Sequence, residues 1–341
     1  MKNRQGGSKV NKLKTAVVGT GGFGSLHAQA YFEHPYTELC AVVNRTEEKG
    51  KKVAERFNAR YYKYPEELLE NEDFDIVSVC TREHSHKDLG LLFSKAGKKI
   101  LMEKPLAPSL EEALELVDGI EKDRTFMCVN YILRQDPRFL ELKRMVDNGD
   151  MGEAVSYIAH RKGTYVGGQY YGPWSDLLIS TVIHDLDLMI WLNGTKPVRV
   201  YGESISKKHI DIGVEDAFAA TIKFADGAIG SVSASWVLPS TLPLVRAQSF
   251  HLIGTKGGLF VDGSNHGLQV CKEEGYKLPD MAHWPIISNK LSGNLRSFID
   301  DFINTIISGG EPAVSGKEAL KSLEVVFAIK KSIETKLPVT L

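Results

Sequence analysis

The chain has 341 residues, 43% hydrophobic and 25% charged, with a formal net charge of −1. This length suits two domains, and the near-neutral balance argues against nucleic acid or an anionic membrane as partner. No apolar run approaches the roughly 20 residues that span a bilayer, and the basic start MKNRQGGSKVNKL lacks the apolar core of a signal peptide.

Residues 1–12 therefore read as a loose extension of a cytoplasmic protein. Lys14 to Gly24 (KTAVVGTGGFG) follows it, with Ala16, Val17 and Val18 as a buried strand and Gly19, Gly21 and Gly24 spaced G-x-G-x-x-G. The next residues, 25–33 (SLHAQAYFE), have helical character. Strand, glycine turn and helix start form the setting in which this spacing means dinucleotide binding. The glycines serve a tight turn, close approach of a pyrophosphate and close helix packing, and the helix amides hold the phosphates.

Strand patterns recur at 37–43, 61–62, 76–80, 99–102 and 126–129, with helical patterns between them at 47–57, 66–69, 86–96 and 110–122. Ser109 and Glu112 have the spacing of a capping box. This alternation predicts a doubly wound parallel sheet. Beyond residue 131 the pattern changes. Residues 137–148 read as a helix, 154–161 as a strand, 165–174 (YVGGQYYGPW) as an aromatic, glycine-rich loop, and 177–192 as an apolar helix. Runs at 197–206, 216–224, 229–236, 249–253, 258–262 and 267–271 then read as antiparallel strands separated by hairpin turns. Helices at 294–307 and 316–335 close the chain. The predicted architecture is a dinucleotide-binding domain over 13–131 and an α+β domain with a large open, mostly antiparallel sheet over 132–341, its last helix able to pack back on the first domain. Cys40, Cys80, Cys128 and Cys271 are scattered without a C-x-x-C pair, which favours free thiols.

Three groups carry candidate chemistry. Asn44-Arg45 ends the second strand where an acidic residue would hold the ribose of NAD. An amide and a guanidinium there favour NADP(H) over NAD(H), Arg45 being able to pair with a 2′-phosphate, although a turn-forming Asn44 and a solvated Arg45 would look the same. Glu103-Lys104-Pro105 directly follows a parallel strand, at the sheet edge where ligands bind. Lys104 can exchange a proton with a substrate oxygen there. Glu103 can orient the ammonium or contact the ribose, and Pro105 permits a cis bond. His184 lies in the apolar helix with Asp185 and Asp187. Asp187 can hold the imidazole tautomer or pair elsewhere, and such charges on a buried helix demand partners or a cavity.

Together G-T-G-G-F-G, E-K-P at 103–105, N-Y-x-x-R-x-D-P at 130–137 and I-H-D-L-D at 183–187 resemble the Gfo/Idh/MocA oxidoreductases, over about residues 12–341. The resemblance implies a Rossmann domain, hydride transfer to or from a sugar, cyclitol or nucleotide-sugar, and a homodimer or homotetramer assembled through the second domain. It implies Lys104 and His184 as the proton-handling pair. The cofactor side becomes Gly19, Gly21, Gly22, Phe23, Gly24, Asn44, Arg45, Thr81, His86, Glu103 and Lys104. The substrate side becomes Lys104, Tyr131, Arg134, Trp174, Ser180 and His184, with no metal. Many sugar-oxidising members carry an aspartate one helical turn before the histidine, where this chain has Ser180. A dinucleotide-binding regulator without turnover and an NAD-dependent glycosidase are the alternative classes on related scaffolds.

Overall fold

The computed structural model describes residues 12–244 and 247–341. The extension over residues 1–12 thus lies, except for Lys12, outside the described residues.

Strands β1 (Leu13–Val18), β2 (Thr37–Val43), β3 (Arg60–Tyr62), β4 (Ile76–Val79), β5 (Lys99–Met102) and β6 (Met127–Val129) pair in parallel in the order 3-2-1-4-5-6. Helices α1 (Gly22–Glu33), α2 (Glu47–Phe57), α3 (Pro65–Asn71), α4 (His86–Lys95) and α5 (Leu110–Lys122) connect them. Ala16, Val17, Ile76, Val77 and Ile100 are fully buried, as expected of strands covered on both faces. Strand order reverses between β1 and β4, and the carboxyl ends of these strands form the crevice in which such sheets bind ligands. α1 begins at Gly22, three residues earlier than the pattern predicts, because the second half of the glycine motif already turns as helix. Gly24 lies so close to Gly19 that a Cβ there would be 1.7 Å from the Gly19 carbonyl oxygen.

After α6 (Pro137–Asp147), the strands β7 (Ala154–Thr164), β8 (Pro197–Ile205), β9 (Ala217–Phe224), β10 (Ile229–Leu238), β11 (Ala247–Gly254) and β12 (Gly258–Asp262) form the second sheet with a terminal strand, Val339–Thr340. The β7–β10 pair is parallel and the other pairs are antiparallel. One face alternates into the core through Tyr157, Ala159, Phe218, Val232 and Phe250, and is covered by α8 (Ile183–Asn193) and α10 (Gly316–Thr335). α9 (Asn294–Ser308) precedes α10. α10 also reaches the first sheet: Ser322 Oγ lies 2.7 Å from Tyr131 OH, and Gly316 passes so close to Met127 that a Cβ would lie 2.9 Å from its side chain.

Three predicted elements differ. Residues 165–174 are not all loop: α7 spans Tyr165–Tyr171, with Thr164 Oγ1 accepting the Gly167 N–H at 3.3 Å. Gly167 and Gly168 weaken helix propensity, but Gly168 is required for close packing, since a Cβ would lie 2.6 Å from the His209 ring. The apolar stretch 177–192 is two pieces, a π-helical turn at Leu178–Val182 followed by α8. Finally, the strand expected at 267–271 forms instead at Val270–Lys272 and pairs with Gly275–Lys277 in a separate hairpin. The four cysteines are free, two of them buried.

The two classes of glycine predict opposite behaviour. Gly24→Ala must move backbone and should cost about 1–3 kcal/mol of stability. Gly21→Ala meets no atom within 4 Å and should leave the urea midpoint almost unchanged. Equal midpoints for the two variants would refute this packing.

Candidate active site

A cavity of about 620 Å³ opens between the carboxyl edge of the first sheet and the second half of the chain. One wall carries Gly21, Gly22 and Phe23, then Thr81 and Arg82 after β4, Glu103 to Pro105 after β5, and Asn130 after β6. The opposite wall carries Arg161, Trp174, Ser180, Thr181, His184 and Trp284.

Gly19 adopts φ +91 and donates its N–H to Val43 O at 2.8 Å, so the turn needs glycine there. At Gly21 and Gly22 a Cβ would point into empty space. No side chain caps α1 at Gly21, which leaves its first-turn amides for an anion. This cradle fits a dinucleotide pyrophosphate. Asn44 is turned inward: its Oδ1 accepts from Thr20 N at 3.3 Å and its Nδ2 donates to Thr46 O at 2.8 Å. Arg45 is exposed beyond it. His86 is buried beneath the cavity, Nδ1 at 2.7 Å from Pro105 O and Nε2 at 3.1 Å from Thr81 O. Burial pulls its pKa down, and in the neutral form the ring donates to only one of these two carbonyls. The Lys104–Pro105 peptide that precedes the Pro105 carbonyl is cis.

Glu103 is held from behind. Its Oε1 lies 3.0 Å from His27 Nε2 and accepts from Asn130 Nδ2 at 2.6 Å. His27 Nδ1 in turn meets Ser78 Oγ at 3.0 Å, and Ser78 Oγ meets Tyr31 OH at 2.7 Å. Burial pushes the Glu103 carboxyl up, but the His27 hydrogen bond and charge, with Asn130 and Lys104, bring it below its ordinary value. His27 sits inside the helix read only as a phosphate-binding element, and its distance from Glu103 in sequence hid the contact.

Lys104 Nζ donates to the backbone carbonyl of Ser180 at 2.7 Å, across the cavity. Ser180 Oγ donates to Asp176 O at 2.6 Å, so the residue offers Lys104 a carbonyl rather than its hydroxyl. His184 is 9% exposed on α8, lines the cavity and meets the Tyr131 ring edge-on at 6.0 Å. Asp187 is engaged by Arg134, accepting from its Nε and Nη2 at 2.9 and 2.8 Å. Asp185 takes Arg161 Nε and Nη2 at 2.6 and 2.8 Å. Tyr131 and Arg134, expected on the substrate side, are buried behind the wall, Tyr131 bonded to Ser322 and Arg134 to Asp187. Trp174 does line the cavity.

A second buried chain was not legible in the sequence. Arg161 Nη1 donates to Gln248 Oε1 at 2.9 Å, which directs the Gln248 amide nitrogen toward His283 Nε2 at 3.4 Å. His283 then presents Nδ1–H to Asp280 Oδ2 at 2.7 Å. Asp280 also accepts the amides of Ala282 and His283, a closed loop that seats Trp284 edge-on against Phe23 at 5.0 Å between centroids. Polar residues scattered between short strands gave no periodic signal for it.

The Glu103 network predicts a pH effect. A carboxyl whose folded pKa is depressed contributes stability above its unfolded value, here 4.5, which is lost as pH falls through the folded value. His27→Ala leaves burial unopposed by its largest counterweight. The acid limb of the stability profile should move to higher pH, read from denaturation midpoints between pH 3 and 7. An unmoved acid limb would overturn the role given to His27.

The oxidoreductase family with an NAD-binding Rossmann fold matches residues 13–131, and its C-terminal α/β domain matches residues 143–341. Myo-inositol 2-dehydrogenase of Thermotoga maritima is 26% identical over 336 residues, 96% of this chain and 98% of that protein. Scyllo-inositol 2-dehydrogenase (NAD(+)) of Bacillus subtilis is 25% identical, over 97% of each. The crystal structure of scyllo-inositol dehydrogenase from Lactobacillus casei, with bound NAD(H) and scyllo-inositol, has the same fold, with a TM-score of 0.82 at 18% identity over 97% of this chain and 99% of that one. Both halves of the chain, and the glycine cradle facing its cavity, thus belong to the Gfo/Idh/MocA family of oxidoreductases.

Proposed function

We propose that the chain is a pyridine-nucleotide-dependent oxidoreductase acting on a ring hydroxyl, or the matching ketone, of a cyclitol, sugar or nucleotide-sugar. Residues 13–131 would hold the dinucleotide and residues 132–341 the substrate. The observation that carries this reading is the meeting of Lys104 and His184, from opposite halves, in one cavity with the glycine cradle. The names of the inositol dehydrogenase relatives support the substrate class.

Gly19 to Gly24 and the α1 amides would hold the pyrophosphate, and Glu103, fixed by His27 and Asn130, would face the nicotinamide side. The nicotinamide, when bound, supplies the hydride acceptor or donor. Lys104 Nζ, aimed across the cavity by the Ser180 carbonyl, donates a hydrogen bond to the reacting oxygen. His184 takes the hydroxyl proton during oxidation and returns it during reduction. In oxidation the C–H bond gives up a hydride, the O–H bond a proton, and a carbonyl forms, so charge and atoms balance.

NADP(H) would be the preferred cofactor, because Asn44-Arg45, and no carboxylate, ends β2 and the exposed Arg45 would meet a 2′-phosphate. The chain would act in the cytoplasm, where free thiols persist. No helix among the described residues is long and apolar enough to cross a membrane. A homodimer or homotetramer would form through the open face of the second sheet, where Ile158 and Phe260 flank His251 in one exposed row.

Lys104→Ala should keep cofactor affinity and lose hydride transfer by roughly 10²–10⁴-fold, followed at 340 nm with a cyclitol and sugar panel. Undiminished turnover would refute the assignment. Arg45→Ala should weaken NADPH by about tenfold or more with little change for NADH, by fluorescence titration. Equal weakening of both would remove the 2′-phosphate reading.

A further inference from the structure

Arg82 is a charged group of the cavity wall whose placement the hydride chemistry does not use. It follows β4 on the dinucleotide side, is exposed, and lines the cavity. Its guanidinium stands over the Trp174 ring, 5.0 Å from the centroid. Arg82 thus reaches from the first half of the chain to the second across the cavity mouth. Its neighbour Glu83 is turned inward, 4% exposed, and no ion pair joins the two among the described residues.

The Trp174 side of this contact is rigid. Trp174 Nε1 donates to Tyr170 O at 3.1 Å, and its indole packs edge-on against Tyr171 at 5.3 Å. α7, which carries both tyrosines, is anchored at its other end. The Tyr165 ring stacks on His209 at 4.6 Å and 18°, and buried His209 is fixed through Nδ1 to Asp216 Oδ1 at 2.7 Å. The indole is therefore preorganised, whereas the arginine is a long exposed side chain resting on a ring face. A guanidinium in that state retains its N–H fork for an oxyanion while its plane stays on the aromatic.

The other charges in the same wall are committed. Glu103 is bonded to His27 and Asn130, and Arg161 to Asp185 and Gln248. Among the described residues no carboxylate lies within salt-bridge distance of Arg82, whereas Arg161 is paired with Asp185. We propose that Arg82 and Trp174 form a substrate subsite for a sugar or cyclitol bearing an anionic group, a carboxylate or a phosphate. The ring or its substituent lies against the indole and the oxyanion is taken by the guanidinium. This rests on the oxidoreductase reading and narrows its substrate class.

The test uses the full-length protein loaded with NAD(P)H, and a panel pairing neutral with anionic ligands: glucose with glucuronate and glucose 6-phosphate, and myo-inositol with an inositol monophosphate. Thermal shift and turnover are both read. At least one anionic compound should bind more tightly than its neutral partner. Arg82→Gln should weaken that binding by about tenfold or more and leave dinucleotide affinity intact. Arg82→Lys should recover part of it, the charge without the fork. If neutral partners bind or react as well as anionic ones, the subsite is refuted while the oxidoreductase reading stands. If Arg82→Gln instead weakens the dinucleotide, the guanidinium serves the cofactor phosphates and the subsite is likewise refuted. Loss of dinucleotide binding by the wild type is a separate outcome, which overturns both.

Discussion

Two buried arginine–aspartate pairs determine where helix α8 sits. Helix α8 is apolar on nearly every side, yet carries Asp185, Asp187 and His184, and an ionised carboxylate in such surroundings is costly without a partner. Arg134, just beyond the first sheet, pairs bidentately with Asp187, and Arg161, on β7, pairs bidentately with Asp185. Burial pushes the Asp187 carboxyl up and the guanidinium opposes that, while Arg134 is held more firmly charged than usual by the same contact. Replacing a buried pair with apolar groups is often neutral, but deleting one member strands the other, at a cost of about 3–5 kcal/mol. The consequence is geometric. α8 is fixed in rotation from two directions, and His184, which immediately precedes the two anchored aspartates in sequence, is delivered to the cavity.

This explains what could be read in the amino-acid sequence and what could not. The doubly wound sheet, the glycine turn and E-K-P at a strand end are local features: a short apolar run, a spacing, a position after a strand. They were legible because their meaning depends on residues within one or two turns. I-H-D-L-D was legible as an anomaly, charges in an apolar helix, without its resolution, because the partners lie at Arg134 and Arg161. His27, Gln248 and His283 were invisible for the same reason. Each is an ordinary polar residue until the fold brings it to Glu103, Arg161 or Asp280. Tyr131 and Arg134 show the converse case. Their motif marks them, but their work is to join the halves, Tyr131 through Ser322 and Arg134 through Asp187, rather than to line the cavity.

Local propensity misled at α7 for a related reason. Residues 165–171 include two glycines and three tyrosines, a poor helix by intrinsic preference. Tertiary contacts override that preference: Thr164 caps the first turn, and the glycine at 168 is what allows the His209 ring to approach. Glycine here marks a close approach of a neighbouring group, not chain freedom.

The Lys104–Ser180 contact shows how such backbone detail sets chemistry. In the π-helical turn the Ile183 N–H returns to Leu178 O, five residues back rather than four. Widening the turn disturbs the regular hydrogen-bond ladder where Ser180 stands, and π turns of this kind recur at functional sites. The Ser180 carbonyl is the acceptor that meets the Lys104 ammonium. A carbonyl aims an ammonium but, unlike a carboxylate, does not cancel its charge. The ammonium can then favour an oxygen that becomes more negative during hydride transfer, which is the state a catalytic donor should prefer. A serine at this position is therefore compatible with the proton handling proposed for Lys104 and His184, because the backbone carbonyl supplies the orientation.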